Sequence, residues 1–405
     1  MSATASHSVV VTAEGHLVDS QVLKTIFDRI VERGASFEVQ DFSLGRTNDD
    51  FSKLTLKISS AQPDALARLV EDLVPLGCRS IGEQDALVRL ADRDGAAPED
   101  FYSTTNLRTQ VRLQGQWVNV AHQRMDAAIV VADDGPTCRK LRDLRRGDRV
   151  VCGLDGLRVT PEFRDRERGD FAFMSNEVSS ERRVEASVTK VTQMMRDTRA
   201  RGKRIAFVAG PVVVHTGGVA YFGELIRKGY VDVILAGNAL AVHDAEHTLF
   251  GTSLGVDLEA GTAVAGGHRH HMRAINIINR AGGIRAAVET GVLTRGLMVD
   301  CVRGNVELLL AGSIRDDGPL VDTITDMVEA QDRYTAALAD VGLVIVLSTM
   351  LHGIGVGNML PAWVPVVCVD INPAVVTKLA DRGSSQTMGL VTDVGLFLHQ
   401  LAEQI

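Results

Sequence analysis

Side chains able to do chemistry gather in a few short stretches of this 405-residue sequence. The segment Gly266–Met272, GGHRHHM, sets three histidines beside one arginine just ahead of a helical pattern. It has no flanking acid at ligand spacing and matches no common zinc motif, so no metal is expected there. Arg269 suits a substrate carboxylate, which a guanidinium grips through two parallel hydrogen bonds. His270 suits proton transfer near neutral pH; the plainer alternative is a set of solvated histidines at a helix start. Asp316 and Asp317, in the segment RDDGP, could hold an ammonium group or act as a base, or form an ordinary solvated turn. His215, His243 and His352 are expected in loops at strand ends.

A second constellation concerns a nucleotide. The apolar run LVIVLS leads into TMLHGIGVGN, with glycines at 353, 355 and 357, and VPVVCVD then ends at Asp370. Glycines let a backbone approach a pyrophosphate, and an acid at the next strand end can accept both ribose hydroxyls. A carboxylate there repels a 2′-phosphate, which favours NAD over NADP. The spacing departs from G-x-G-x-x-G, and a tight turn packing two strands is the competing reading. Three further apolar runs each end in Ala-Gly followed by polar residues: Ala209–Gly218, Ala236–Asp244 and Ala311–Leu320. Read as strand-end loops, they predict one shared ligand cleft at the carboxyl edge of a parallel sheet.

The elements that must position these groups fall into three zones. Residues 1–92 read strand, helix, strand, strand, helix, strand, with helices stopped at Gly34 and Gly77, a ferredoxin-like or ACT-like α+β module. Residues 93–165 hold short β-like pieces and an Asp155-Gly156 turn signal, a small β-rich section. Residues 166–405 alternate continuous apolar strands with helices, the pattern of a Rossmann-like α/β domain whose parallel sheet is covered on both faces. Here VDTITDMVEAQDRYTAALADVG reads as one long helix, and LVIVLS and VPVVCVDI complete the strands. Ser-rich MSNEVSSERR reads as a capped helix start.

Composition narrows the function. A formal charge of −8 argues against a general nucleic-acid binder, which needs a basic face. No apolar run reaches the ~20 residues that span a bilayer, and no secretory signal is visible. The five cysteines are scattered and form no CxxC pair, which fits a reducing cytoplasm.

Many long blocks carry a resemblance: FMSNEVSSERRVE, AGPVVVHTGG, ILAGNALAVHD, GTSLGVD, GGHRHH, AGSIRDDGPLVD, LHGIGVGNMLPA and CVDINPAVVTKLADRGS. EGHLVDS, GASFEVQDFSLG, DFYSTTN and QGQWVNV extend it over nearly the whole chain. Together they resemble the archaeal-type (alpha-type) ornithine cyclodeaminase family, formerly a lysine-oxoglutarate reductase/saccharopine dehydrogenase-like region. The same module forms the carboxy-terminal part of cyanobacterial bifunctional arginine dihydrolase/ornithine cyclodeaminases, whose dihydrolase domain has no counterpart here. The resemblance implies a lyase that turns L-ornithine into L-proline and ammonia with tightly held NAD⁺. Hydride leaves Cα, the δ-amine attacks the resulting imine, ammonia departs, and the hydride returns. It further implies nucleotide contacts at Asn238, Ala239, Thr349, Met350, Leu351, His352, Asp370, Asn372, Asp393 and Val394. On chemistry and loop placement, Arg269 is expected on the substrate carboxylate, Asp316 or Asp317 on the amines, and His270 or His352 as proton carrier. The competing readings are a net NAD-dependent dehydrogenase on lysine or an opine, and an amino-acid sensor. A homo-oligomer is plausible, with no nucleic-acid or membrane partner.

Overall fold

Apolar residues that alternate along a strand bury one face, whereas continuous apolar runs need cover on both. Both kinds of sheet occur here. The computed structural model describes residues 7–15, 17–18, 22–45, 50–80, 84–160, 180–253, 256–257, 269–316, 319–383 and 387–405. By contact the chain forms two units, Met1–Met174 with Asn358–Trp363, and Ser175–Gly357 with Val364–Ile405.

In the first unit, β1 (His7–Gly15), α1 (Val22–Glu32), β2 (Ser36–Ser43), β3 (Ser52–Ser60), α2 (Pro63–Leu73) and β4 (Cys78–Ser80) follow one another. The strands pair antiparallel in the order β2-β3-β1-β4, the ferredoxin-like arrangement expected from the sequence. Gly34 takes a left-handed φ of 68° just past α1, and Gly77, at 86°, ends the 3-10 turn Val74–Leu76 that continues α2. Ile26 and Ile30 of α1 pack on Leu54, Leu56 and Ile58 of β3 and on Leu69 of α2.

The strands β5 (Leu87–Leu90), β6 (Arg108–Leu113), β7 (Gln116–Asn119), β8 (Ala128–Ala132), β9 (Gly135–Arg139), β10 (Arg149–Cys152) and β11 (Leu157–Thr160) come next. They form two antiparallel sheets, β5-β10-β8-β9 and β11-β6-β7. The Asp155-Gly156 turn therefore does not close a hairpin; it carries the chain from one sheet to the other. A Cβ at Gly156 would lie 2.3 Å from the Ala86 backbone nitrogen, so the crossing needs glycine. Within the same unit, the Ala362 N–H donates to the Asn106 carbonyl (2.9 Å), and the Arg108 guanidinium lies 4.3 Å from the centre of the Trp363 ring system.

The second unit begins with α3 (Ser180–Ala200), β12 (Arg204–Ala209), α4 (Val212–His215), α5 (Val219–Arg227), β13 (Val233–Gly237) and α6 (Asn238–Phe250). It continues with β14 (Thr252–Ser253), β15 (Val256–Asp257), α7 (His270–Ala281), α8 (Ile284–Glu289), α9 (Leu297–Arg303), β16 (Glu307–Ala311) and β17 (Thr323–Ile324). The last elements are α10 (Met327–Ala337), β18 (Val341–Leu347), α11 (Met350–Met359), β19 (Val366–Asp370), α12 (Pro373–Gly383), β20 (Thr387–Val391) and α13 (Val394–Gln404). Seven strands form one parallel sheet, ordered β17-β16-β13-β12-β18-β19-β20.

Three expectations need correction. The long helix expected from Val321 starts only at Met327, because Thr323–Ile324 pairs with β16 and the Asp326 carboxylate caps the Val328 and Glu329 N–H groups. The strands do not end with β19, since TMGLV adds β20. The segment after Ala236 is no loop but the long helix α6. The capped start expected at Met174–Arg183 lies largely outside the described residues.

Asp244 ties α6 to α9. It is almost wholly buried, and its two carboxylate oxygens accept the Leu297 and Met298 N–H groups, each at 2.8 Å. Asp244→Ala leaves two donors buried without partners and is expected to cost about 3 kcal/mol. Urea unfolding of the transition carried by this unit measures it; a loss below about 1 kcal/mol would mean that water replaces the carboxylate.

Candidate active site

In an open parallel sheet, the place where strand order reverses leaves a crevice at the carboxyl ends. Here the reversal lies between β12 and β18. From β12 the chain steps outward through β13, β16 and β17, then returns to β18 and steps the other way through β19 and β20. A cleft of about 170 Å³ opens there, lined at the ends of β12, β13, β16 and β18 by residues that include Gly210, Asn238, Ser313, Asp316, Thr349 and His352. The loops expected to share one cleft do so.

Two glycines make the close approach possible. A Cβ at Gly210 would lie 2.5 Å from the Ser348 carbonyl oxygen, and one at Gly237 would lie 3.2 Å from Cε1 of His352. Ser348 itself takes a left-handed φ of 46°, a conformation that costs a non-glycine residue about 1–2 kcal/mol. Its hydroxyl donates to Asp370 Oδ2 (3.2 Å), and the Asn372 N–H donates to Asp370 Oδ1 (2.8 Å). Asp370 ends β19 and is buried, yet two donors leave much of the carboxylate's acceptor capacity unused.

Asn238 stands at the head of α6. Its Oδ1 accepts the Leu320 N–H (3.1 Å) and the Thr323 hydroxyl (3.0 Å), and its Nδ2 faces Asp316 Oδ1 at 3.5 Å. Asp316 Oδ2 accepts the Ser313 N–H at 2.8 Å. Asn238 thus shapes the loop after β16 as well as lining the cleft.

A second polar cluster lies deeper along α6. Glu246 is fully buried and accepts the Thr252 hydroxyl at 2.9 Å. Thr252 also touches His270 Nδ1 at 2.9 Å, and Ser253 Oγ touches His243 Nδ1 at 3.0 Å. The His243 ring contacts those of His215 and His271, with centroids 4.8 and 5.1 Å apart. Burial foremost, then the neighbouring His215 and His271, holds His243 down at about 4, and burial lowers His215 as well. Both rings are neutral at pH 7.

The cleft brings together Asn238, Ala239, Asp316, Thr349 and His352 from the residues singled out in the sequence. Met350 opens α11, and Leu351 is 77% exposed, turned away from the lining. Asn372 is exposed and its Oδ1 accepts the Ala374 N–H, while Asp393 caps α13 through the Leu396 N–H and Val394 is buried. Arg269 is exposed just before α7, and His270 faces Thr252; neither lines the cleft. Asp317 lies outside the described residues. The glycines at 353, 355 and 357 are inside α11 rather than in a phosphate loop: Gly353 packs against Val346 and Leu379, and the other two face open space. His243 and His352 are likewise helical, and His215 ends α4. Sequence reasoning passed over Ser348 and Glu246; the His-x-x-Glu spacing of 243 and 246 was the available signal for the last.

Three family models match successive parts of the chain. They are the LOR/SDH bifunctional enzyme conserved region over residues 8–107, and the first region and the Rossmann-fold region of the arginine dihydrolase ArgZ-like C-terminal part over residues 108–188 and 189–401. The ornithine cyclodeaminase of Methanothermobacter thermautotrophicus is 46% identical, with 98% of this chain and 97% of that protein aligned. The bifunctional arginine dihydrolase/ornithine cyclodeaminase AgrE of Nostoc sp. is also 46% identical over 98% of this chain, which spans only 58% of that protein. The crystal structure of AgrE in ternary complex with ornithine and NAD⁺ superposes with a TM-score of 0.54 at 45% identity, covering 98% of this chain and 57% of that one.

Burial lowers the His352 imidazole below its ordinary value of 6.5. The unfolded chain then binds a proton that the folded one refuses, so stability falls as pH drops below about 6.5. His352→Gln is expected to flatten that part of the profile, read as Tm between pH 7 and 5; an unchanged slope would clear His352 of the effect.

Proposed function

The chain belongs to the family of arginine dihydrolase ArgZ-like C-terminal regions, and from that premise we propose that it converts L-ornithine to L-proline and ammonia with NAD⁺. The observation that carries the reading is the alignment, over 98% of this chain and 97% of the relative, with an archaeal ornithine cyclodeaminase, on a fold whose cleft sits at the strand-order reversal. Because the chain spans little more than half of its cyanobacterial relatives, only the cyclodeaminase activity is proposed for it.

The residues present fit a dinucleotide. α11 begins just after Thr349, and a helix start leaves its leading N–H groups without intrahelical partners, where a pyrophosphate is favoured. Asp370 ends the neighbouring strand with acceptor capacity to spare for a ribose diol. A methyl group at Gly210 or Gly237 would intrude on the loops that frame the cleft. Bound NAD⁺ supplies a hydride acceptor that is restored within each turnover, so the conversion is redox-neutral.

The chain's own groups supply the rest. Asp316, in the lining, holds a substrate ammonium, with Asp317 beside it in sequence. Neutral His352 takes a proton from an amine and later returns it; His270, held against Thr252 outside the lining, is the alternative carrier. Arg269, exposed just before α7 and outside the cleft lining, is the candidate for the substrate carboxylate on its chemistry alone. The proposal includes a reducing cytoplasm, supported by five free and buried cysteines. It also includes a homo-oligomer, supported by the exposed edge strand β2, with Val39 and Phe42 open to solvent. Among the described residues, no helix is long and apolar enough to cross a membrane.

Incubation with NAD⁺ and ornithine is expected to release proline and ammonia in equal amounts while absorbance of the reduced nicotinamide stays flat. A steady rise matching product would identify a net dehydrogenase instead, and no proline would end the proposal. Asp370→Asn is expected to weaken NAD⁺ binding by roughly 10- to 100-fold, the worth of a charged hydrogen bond, and to narrow the preference over NADP⁺. Calorimetric titration of both nucleotides checks it; an unchanged ratio would remove Asp370 from the ribose.

A further inference from the structure

Glu246, His243 and His271 need an explanation that packing does not provide. His243 and Glu246 are three residues apart on α6, so both point from one face of the helix. His271 comes from the first turn of α7. One potential ligand atom from each lies within 4.8 Å of the other two. Glu246 Oε2 is 3.5 Å from His271 Nδ1 and 3.8 Å from His243 Nδ1. With metal–ligand distances near 2.0–2.1 Å, neighbouring donors in a tetrahedral site are about 3.4 Å apart, so the carboxylate is within a few tenths of an ångström of closure to each imidazole, while the two imidazole donors must draw together by up to roughly 1.4 Å.

We propose that Glu246, His243 and His271 bind one divalent ion of the zinc class, with no fourth protein ligand among the described residues. Two further observations point to a ligand. His271 Nδ1 is buried without a hydrogen-bond partner. Glu246 is fully buried, its Oε1 accepts the Thr252 hydroxyl, and its Oε2 lies within 4 Å of both imidazoles. Thr252 holds the carboxylate through its other oxygen, the kind of support that orients metal ligands, while Ser253 occupies His243 Nδ1 and either releases it to the ion or holds it with Nε2 turned to the ion. The acid missing around GGHRHHM in sequence is delivered in space by α6. Two imidazoles and one carboxylate suit zinc and its congeners better than magnesium or calcium, which prefer oxygen.

The inference stands apart from the reaction proposed above and is tested without an activity assay. Untagged protein purified from zinc-supplemented medium is dialysed exhaustively and analysed for metals by mass spectrometry. Protein stripped with a strong chelator is then titrated with Co²⁺ while its visible spectrum is recorded. The expected result is about one zinc per chain and, on loading, the intense visible bands of a four-coordinate cobalt site. Glu246→Gln and His271→Ala are each expected to abolish the cobalt bands and lower zinc at least tenfold. Because the His271 side chain is 30% exposed, its truncation tolerates folding even where the Glu246 variant does not, and circular dichroism verifies the fold of both. Zinc absent from the wild type with no cobalt spectrum overturns the site. So does wild-type metal binding by folded His271→Ala. A cluster that binds no metal but whose Glu246→Gln variant loses ornithine affinity would be a substrate-ammonium pocket, and the metal inference would fall.

Discussion

The cleft depends on how closely two neighbouring strand ends approach each other. β12 and β18 lie side by side at the reversal of strand order, and the Gly210 N–H donates to the Leu347 carbonyl at 2.9 Å. No side chain fits at Gly210, because the Ser348 carbonyl occupies its space. The chain passes that point only by placing Ser348 in a left-handed conformation. The hydroxyl of the strained residue is itself bonded to Asp370, so the turn and the acid on the next strand hold each other. Strain, close approach and a poised carboxylate are one feature, as is common where a backbone must meet a ligand.

The same unit tolerates an unusual number of polar groups in its interior. Along α6, Asn238, His243, Asp244 and Glu246 are all buried. A buried polar group destabilises unless it is partnered. Asn238 bonds the loop after β16, Asp244 the head of α9, and Glu246 the short strand β14. The helix therefore organises three other segments through its polar side chains, while Leu240, Ala241, Val242 and Ala245 join the apolar core. Positioning and stability draw on the same residues, and substitutions along this helix will rarely affect one alone.

That helix also marks the limit of what could be read from the sequence. Continuous apolar strands such as VILAG and LVIVL are legible because only a sheet covered on both faces buries them. The ferredoxin-like order is equally legible, since Gly34 and Gly77 mark where its helices end. NALAVHDAEHTLF is not: buried on several sides, it shows no apolar stripe, and its polar residues imitate a loop. TMGLV is too short and its alternation too brief to announce β20. Within the site, Asp370 and Asn238 stand out by type and by place in the chain. The GIGVG run misleads, because glycines inside a helix that packs tightly on a strand resemble those of a phosphate loop.

The five cysteines offer a last consequence. Cys78 belongs to the core of the ferredoxin-like sheet, Cys138 and Cys152 to the β-rich region, Cys301 to the core between sheet and helices, and Cys368 to strand β19. Every thiol is free and buried, so an alkylating reagent meets none of them while the chain is folded. Each sulfur becomes a clock for the opening of its own region. Peptide mapping after timed alkylation would rank those regions by local stability without any introduced label.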